Sequence, residues 1–244
     1  MIEVFRFATP LVFAALGETV GQRAGLVNIG LEGLMLTAAY AAAITAMAAG
    51  PVAGIAVGIL VALALATLQN LFVIEGGHDQ VVVGTALNLL ALGLTNTAFR
   101  QRFGASGELI RVPTLPTFAE AFDAIVILGL VAALALGYLL HRTKWGLAAR
   151  AAGEYPPALE AGGQSVRRIR WQASLIAAAF AGVAGAYLAV GVAGSFAEGM
   201  TSGRGFVAIA MVTFGRWKPV WVYAASLFVG LTDQIGRASC RERV

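Results

Sequence analysis

Charged side chains are scarce in this chain, and they are unevenly spread. Asp, Glu, Lys and Arg make up 12% of the 244 residues, whereas roughly a quarter of the residues in soluble domains are charged. Residues 33–74, 80–99 and 171–197 contain none of them. A membrane-spanning helix needs about 20 mainly apolar residues, so these stretches supply four spans, because Gly50-Pro51 divides the first. The composition excludes an ordinary soluble domain.

Residue types that carry catalysis or bind metals are also few. The chain has one cysteine, Cys240, and two histidines, and it contains no zinc-protease, nucleophile-elbow or phosphate-loop motif. The positive charge is not arranged as a basic stripe with interleaved aromatic residues, so it does not indicate a nucleic-acid partner. We therefore expect no catalytic residues, no metal site and no bound cofactor.

The apolar runs predict an all-α protein, a polytopic transmembrane helical bundle of about eight spans including one short or broken segment. The predicted spans are Val4–Thr19, Leu31–Ala49, Val52–Ile74, Val81–Phe99, Ala121–Leu140, Trp171–Gly194, Gly205–Phe214 and Val220–Thr232. The seventh is too short, at about 1.5 Å per residue, to cross roughly 30 Å of hydrocarbon. It follows the glycine-rich link EGMTSGRG, which is typical of a broken helix lining a transport path. A plain short or tilted helix is the alternative.

The last ten residues, IGRASCRERV, differ from the apolar run before them. They bring three arginines and the cysteine, and the string looks like a translated sequencing adapter. A genuine amphipathic tail is the alternative. We expect one transmembrane domain over residues 1–234, and a non-native tail over residues 235–244.

The loop of residues 141–170 is strongly basic and faces the cytoplasm by the positive-inside rule. Its cations are Arg142, Lys144, Arg150, Arg167, Arg168 and Arg170. Pro156 and Pro157 suit the first turn of a short helix, and Gly162-Gly163 can end it. A helix of one or two turns is not stable alone, so it needs a surface to lie against. A solvated turn is the alternative.

Several polar residues lie in or near the apolar runs, where each is costly unless it is paired or faces water. Glu18, Asn28 and Glu32 surround a glycine-rich break, Thr85 and Asn88 lie within a span, and Arg204 precedes the short segment. Asn28, Glu32, Thr85, Asn88 and Arg204 are our candidates for lining a solute path. The alternatives are interhelical hydrogen bonding for Asn88, and snorkelling of Glu32 and Arg204 to the membrane boundary.

Four strings in a fixed order carry a resemblance to a known family. They are QRAGLVNIGLEGLML (Gln22–Leu36), VVVGTALNLLALGLT (Val81–Thr95), RAAGEYPPALEAGGQSVRRIR (Arg150–Arg170) and GRGFVAIAMVTFGRWKP (Gly203–Pro219). The chain resembles the membrane permease subunits of ATP-binding-cassette (ABC) importers, in the branch shared by branched-chain amino acid, ribose and nucleoside systems. The nearest resemblance is to nucleoside (simple-sugar) permeases.

The resemblance implies that the chain forms half of the transmembrane path for a small polar solute, with nucleosides as the first choice. It also implies a multi-pass protein of the bacterial plasma (inner) membrane. The implied partners are an ABC ATPase subunit that hydrolyses ATP, a second permease subunit, an extracytoplasmic solute-binding lipoprotein and membrane lipid. The resemblance also implies a helix that couples to the ATPase, formed by Glu154, Pro156, Pro157, Ala158, Leu159, Glu160, Ala161 and Gly163. Family members continue beyond the start of IGRASCRERV, so we expect a C-terminal truncation.

Two other classes of membrane protein and two other solutes are alternatives to this interpretation. An ion-coupled secondary carrier needs an ionisable residue at mid-membrane depth, and the charge-free runs disfavour it. An intramembrane hydrolase lacks a nucleophile–base pair. Within the same family, simple sugars and branched-chain amino acids are the alternative solutes.

Overall fold

The computed structural model describes residues 3–104, 110–115 and 124–241, and it is a bundle of helices. The helices are α1 Glu3–Arg23, α2 Leu31–Ala49, α3 Pro51–Asn70, α4 Gln80–Phe103, α5 Ala124–Arg142, α6 Lys144–Glu154, α7 Pro156–Ala161, α8 Val166–Tyr187, α9 Arg204–Phe214 and α10 Pro219–Arg241. Helices α3 and α8 continue as π-helical turns, Leu71–Glu75 and Leu188–Ala193. Two short strands, β1 Ile110–Arg111 and β2 Ser195–Phe196, pair antiparallel.

The predicted fold class is confirmed, because each of the eight predicted spans is a helix. Five helices are long and apolar enough to cross a membrane: Leu31–Ala49, Pro51–Glu75, Gln80–Phe103, Ile125–Arg142 and Val166–Ala193. Two shorter apolar helices are Arg204–Phe214 and Pro219–Thr232. The predicted start of the fifth span, Ala121, lies outside the described residues. Helix α10 runs on through residues 235–241, so the end of the domain at residue 234 stays a prediction.

Helix α1 lies at the centre of the bundle. It packs against α5, α8, α9 and α10, and its residues 8–21 are all buried. This protein environment explains why α1 can contain the polar residues Glu18 and Thr19, which are both fully buried. Small residues allow close contacts between other helices of the bundle. A Cβ added at Gly182 of α8 would lie 2.7 Å from the Cα of Ile59, so α8 and α3 touch through their backbones.

The bundle has two ends, which we call the loop face and the strand face. The loop face carries α6 and α7, and the strand face carries β1 and β2. Helix α1 runs from the strand face, where Arg6 donates to the carbonyl of Gly191, to the loop face, where Arg23 reaches Glu154. At the strand face the Arg100 guanidinium donates to both carboxylate oxygens of Glu198 at 2.7 and 2.9 Å, and this contact lowers the pKa of Glu198.

The segment between α1 and α2 folds back into the bundle. The N–H of Leu26 donates to the carbonyl of Gly21 at 3.0 Å, and the N–H of Asn28 donates to Oε1 of Glu18 at 3.0 Å. Glu18 lies five residues before the end of α1, which is about 8 Å at 1.5 Å per residue. Helix α2 therefore begins inside the bundle and not at the loop face.

The short segment α9 is half of a broken crossing. The chain turns inward after β2 and starts α9 beside Glu32, near the buried beginning of α2. Helix α9 then runs to the loop face, where the indole of Trp217 donates to Gln22 at 2.8 Å. Its 11 residues span about 16 Å. The structure thus favours the broken helix over the tilted one.

Candidate functional sites: a helix junction and an exposed short helix

The beginnings of α2 and α9 meet within the bundle, at the side chain of Glu32. Oε1 of Glu32 accepts from the N–H of Gly203 at 2.8 Å, and Oε2 accepts from the N–H of Gly205 at 2.7 Å. The first N–H groups of a helix have no partner within it, and a carboxylate there also interacts favourably with the helix dipole. Glu32 therefore caps α9 from a different helix.

The close approach of α9 to α2 requires glycine at two positions. Gly203 precedes α9 with a φ of +82°, a conformation that L side chains rarely adopt. A Cβ on Gly205 would lie 2.6 Å from the backbone nitrogen of Glu32 and 2.7 Å from its Cα. The glycine-rich link predicted from the sequence is therefore a backbone-to-backbone contact at the start of α9.

Asn88 on α4 holds the beginning of α2 in the same way. Its Oδ1 accepts from the N–H of Gly33 at 2.8 Å, and its Nδ2 donates to the carbonyl of Ile29 at 2.8 Å. Gly84 allows α4 this close, because a Cβ there would lie 2.7 Å from the nitrogen of Gly30. The oxygen and the nitrogen of the Asn88 amide both bind backbone groups of another segment. This agrees with the alternative that Asn88 forms interhelical hydrogen bonds.

Asn28 is the centre of a buried hydrogen-bonded cluster. Its N–H donates to Glu18, whose Oε1 also accepts from Nε2 of Gln22 at 3.0 Å. Its Oδ1 accepts from Nε2 of Gln69 at 2.9 Å. Asn28, Glu18 and Gln69 are all buried, so these bonds satisfy groups that would otherwise be costly inside a membrane. Sequence reasoning missed Gln69, for which the only signal is the pair Gln69-Asn70 in an otherwise apolar run.

Thr85 and Arg204 are the remaining two of the five predicted lining residues. Thr85 is exposed on α4, and its hydroxyl donates to the carbonyls of Val81 and Val82 at 3.0 and 2.9 Å. Arg204 is half-buried at the start of α9 and lines a cavity of about 210 Å³ between α1, α9 and α10. The structure thus brings Asn28, Glu32 and Asn88 together, places Arg204 between the two glycines that Glu32 binds, and leaves Thr85 on the surface of α4.

A groove between α2, α3 and α4 was not predicted from the sequence. It has a volume of about 430 Å³ and is mostly apolar, with polar groups from Thr37, Tyr40, Thr45, Thr95 and Arg102 on its wall. The hydroxyls of Thr37 and Thr95 donate to carbonyls of their own helices. A groove of this kind could take a small solute with an apolar face. Among the described residues, no group of three or more His, Cys, Asp or Glu forms a candidate metal site.

The short helix predicted in the basic loop is present as α7. Its six residues begin with Pro156 and Pro157, and Gly163 ends the turn after it with a φ of +74°. Helix α6 before it is capped by Thr143, whose Oγ1 accepts from the N–H of Gly146 at 3.0 Å. Helix α8 after it is capped by Ser165. The predicted loop is therefore an ordered unit of α6, α7 and the start of α8.

One side chain attaches α7 to the rest of the protein. Leu159 is 7% exposed and is the single buried residue among the six of α7. It packs in a cluster with Ala148, Ala149 and Ala152 of α6 and with Val166 and Ile169 of α8. Other residues of the predicted coupling helix are exposed: Glu154, Pro157, Ala158, Glu160, Ala161 and Gly163. Pro156 is half-buried. Helix α7 thus has a fixed position and a free outer surface.

The chain matches one protein family, described as the branched-chain amino acid transport system / permease component, over residues 1–241. It is 32% identical to the guanosine ABC transporter permease protein NupQ of Bacillus subtilis, covering 94% of this chain and 79% of that protein. It is 35% identical to the putative glucose ABC transporter permease protein TsgC13 of Haloferax volcanii, covering 93% and 74%. It is 30% identical to the nucleoside ABC transporter permease protein NupC of Lactococcus lactis, covering 92% and 78%. No solved structure matches it.

Proposed function

Because this chain belongs to the family of permease components of branched-chain amino acid transport systems, we propose that it forms half of an importer's transmembrane path and that the solute is a nucleoside. It is a multi-pass membrane protein and an ABC permease subunit, not an enzyme. ATP hydrolysis belongs to a partner ATPase of the same system. The names of two relatives, a guanosine and a nucleoside permease, support a nucleoside before the glucose of a third.

The observation that carries the proposal is the exposed surface of α7. Helix α7 is held by Leu159 and presents Pro157, Ala158, Glu160 and Ala161 outward. A six-residue helix is unstable alone, and here it is ordered without using most of its surface. This geometry supports the docking of α7, with Glu154 and Gly163 at its ends, into the partner ATPase. The loop face would then be cytoplasmic, as its arginines favour, in a bacterial inner membrane.

The helix junction supports a gate in the solute path. Glu32 and Asn88 bind backbone groups of α9 and α2, and Asn28 binds the segment between α1 and α2 to α3. These contacts favour a role in positioning the broken helix, with Arg204 at its start and Thr85 on α4 as lining residues. A second permease subunit and an extracytoplasmic solute-binding lipoprotein would complete the path, and membrane lipid would cover the apolar outer faces.

Uptake by the reconstituted importer tests the solute and the driving force together. Proteoliposomes containing this permease, its partner permease and ATPase, with the binding protein added, should take up labelled guanosine only when ATP is enclosed. Excess unlabelled uridine should compete with it, whereas excess glucose or leucine should not. Uptake that needs a proton or sodium gradient and no ATP would support the secondary-carrier alternative. Uptake of glucose or leucine in place of guanosine would overturn the nucleoside assignment.

Removing α7 tests the docking assignment. Deleting residues 156–163 should abolish solute-stimulated ATP hydrolysis while the permease still inserts in the membrane. A matched control is Arg168→Gln, which removes an exposed arginine of the same face outside α7. Normal stimulation in the deletion variant would show that α7 is not the coupling helix.

A further inference from the structure

We propose that Arg23 is a positioning residue that links the loop bearing α7 to the loop-face end of the broken helix α9. The inference rests on the proposed docking of α7 and adds the next step, the route by which a movement of that loop reaches the solute path. Arg23 is the last residue of α1, and its guanidinium contacts two separate parts of the chain. Nη1 lies 3.4 Å from Oε1 of Glu154, and Nε donates to the carbonyl of Trp217 at 3.2 Å.

The geometry of Arg23 suits a link between two elements. A guanidinium is planar and has five N–H donors in a fixed arrangement, so it can hold two partners in one relative position. The side chain of Arg23 is 19% exposed, whereas that of Glu154 is 72% exposed. Water therefore competes for hydrogen bonds at the carboxylate of Glu154 far more than at the guanidinium of Arg23. The ion pair alone is worth little at such exposure, so the contact needs support from the backbone nearby.

That support is a direct backbone contact between the ends of α6 and α1. A Cβ added at Gly25 would lie 3.1 Å from the Cα of Gly153, and one added at Gly153 would collide with the carbonyl of Arg23. Arg170 of α8 bridges the same two segments, because it donates to the carbonyls of Ala24 and Ala152, both at 3.3 Å. The end of α6 therefore moves with the end of α1.

The second partner of Arg23 is an unusual turn between α9 and α10. Arg216 and Trp217 both have positive φ values, +52° and +55°, in a region that is costly for residues other than glycine. Such conformations persist where surrounding contacts fix them. Backbone bonds to the end of α9 hold the turn locally, and α1 adds two contacts: Arg23 binds the carbonyl of Trp217, and Gln22 accepts from its indole N–H. Helix α1 therefore contacts the turn through both the backbone and the side chain of Trp217.

Helix α9 transmits the position of this turn to the helix junction. At the loop face α9 enters the turn at Gly215, and inside the bundle its first residues are held by Glu32 through Gly203 and Gly205. A regular helix of 11 residues changes length very little, so a displacement of the turn displaces the contact with Glu32. Arg23 thus lies where the loop of α6 and α7 meets α9, which runs directly to the proposed gate.

The test separates coupling from folding and from docking. In proteoliposomes, guanosine uptake and solute-stimulated ATP hydrolysis are measured together, and if guanosine is not taken up the probe is glucose. Arg23→Gln removes the charge and alters both contacts. It should leave solute-stimulated hydrolysis within about twofold of wild type and lower the uptake per ATP hydrolysed by at least about fivefold. Arg23→Lys should restore part of the ratio, because it retains the charge opposite Glu154. Gln22→Leu should lower the ratio less than Arg23→Gln.

Two controls make each result decisive. Arg168→Gln removes an exposed arginine of the same face and should keep the wild-type ratio. Co-purification of the ATPase with Arg23→Gln verifies assembly. An unchanged uptake-to-hydrolysis ratio in Arg23→Gln would overturn the inference. This holds whether both rates stay as in wild type or both fall in proportion, as a merely structural role would give. Failure of the α7 docking appears separately, as normal stimulation in the variant lacking residues 156–163.

Discussion

At the scale of single residues, two polar side chains complete the hydrogen bonding of helices to which they do not belong. Asn88 of α4 serves the start of α2, and Glu32 of α2 serves the start of α9. Inside a membrane, an unpaired N–H or C=O costs more than in water-exposed loops. Helices α2 and α9 can therefore begin within the bundle, because these two residues supply the missing hydrogen-bond partners.

Replacing Asn88 with alanine should destabilise the protein strongly. The change leaves the N–H of Gly33 and the carbonyl of Ile29 without their partner, and each unsatisfied buried group costs about 1–3 kcal/mol. Thermal unfolding in detergent should show a Tm several degrees lower. Thr85→Ala on the same helix is the matched control, because Thr85 is exposed and its loss should alter stability by less than about 0.5 kcal/mol. Equal Tm values for the two variants would contradict the capping role of Asn88.

The residue contacts of the junction could be predicted in part. Asn28, Glu32 and Asn88 stand out as polar residues in apolar runs and were predicted to line a solute path. The structure places them together at the start of α2, and their role in a solute path stays a prediction. Their partners could not be found in this way. Gln69 lies 41 positions from Asn28, and Trp217 lies 195 positions from Gln22. No local pattern records such pairings, since they depend on how the helices pack.

At the scale of elements, apolar length and the Gly and Pro breaks predicted the helices well. Helix α2 was predicted as Leu31–Ala49, as the structure has it, because a glycine flanks it on each side. Helix α9 was predicted one residue shorter than the observed Arg204–Phe214. Helix α6 was not predicted as a separate element, because its alternation of small and charged residues has no long apolar run.

Helix α7 should depend on a single buried contact. Leu159→Ala removes most of the side chain that packs between α6 and α8, a change that costs about 2–5 kcal/mol in a core. Here the cost should fall on α7 alone, so limited proteolysis should cut residues 155–164 faster, while the Tm of the bundle changes little. Solute-stimulated ATP hydrolysis should fall with it. Glu160→Ala, an exposed change in the same helix, should leave the proteolysis rate as in wild type. A proteolysis rate unchanged by Leu159→Ala would show that α7 is held by other contacts.

At the scale of the whole molecule, the charges in the sequence predict which end of the bundle faces the cytoplasm. The packing of the helices does not depend on that orientation. The two faces differ in charge, and the positive-inside rule predicts that the arginine-rich loop face is cytoplasmic. The same prediction puts β1, β2 and the turn at Gly50 outside. Exposed leucines along α3, α4 and α5, among them Leu60, Leu89 and Leu134, are suited to contact with lipid or with a second permease.

Cysteine labelling tests this orientation. In a Cys240→Ser background, Val52→Cys near the strand face should react with a membrane-impermeant maleimide in intact cells, because Val52 is 72% exposed. Glu160→Cys should react only in inside-out vesicles. Labelling of Glu160→Cys from outside intact cells would reverse the orientation and remove the basis for ATPase docking.

The central place of α1 has a consequence for how the protein is made. Helix α1 precedes all of its packing partners in the chain, and three of them, α8, α9 and α10, begin only at Val166 and beyond. A growing chain that has not reached α8 therefore lacks part of the protein environment that buries Glu18. Full burial of this acid must wait until α8 and the helices after it have been made.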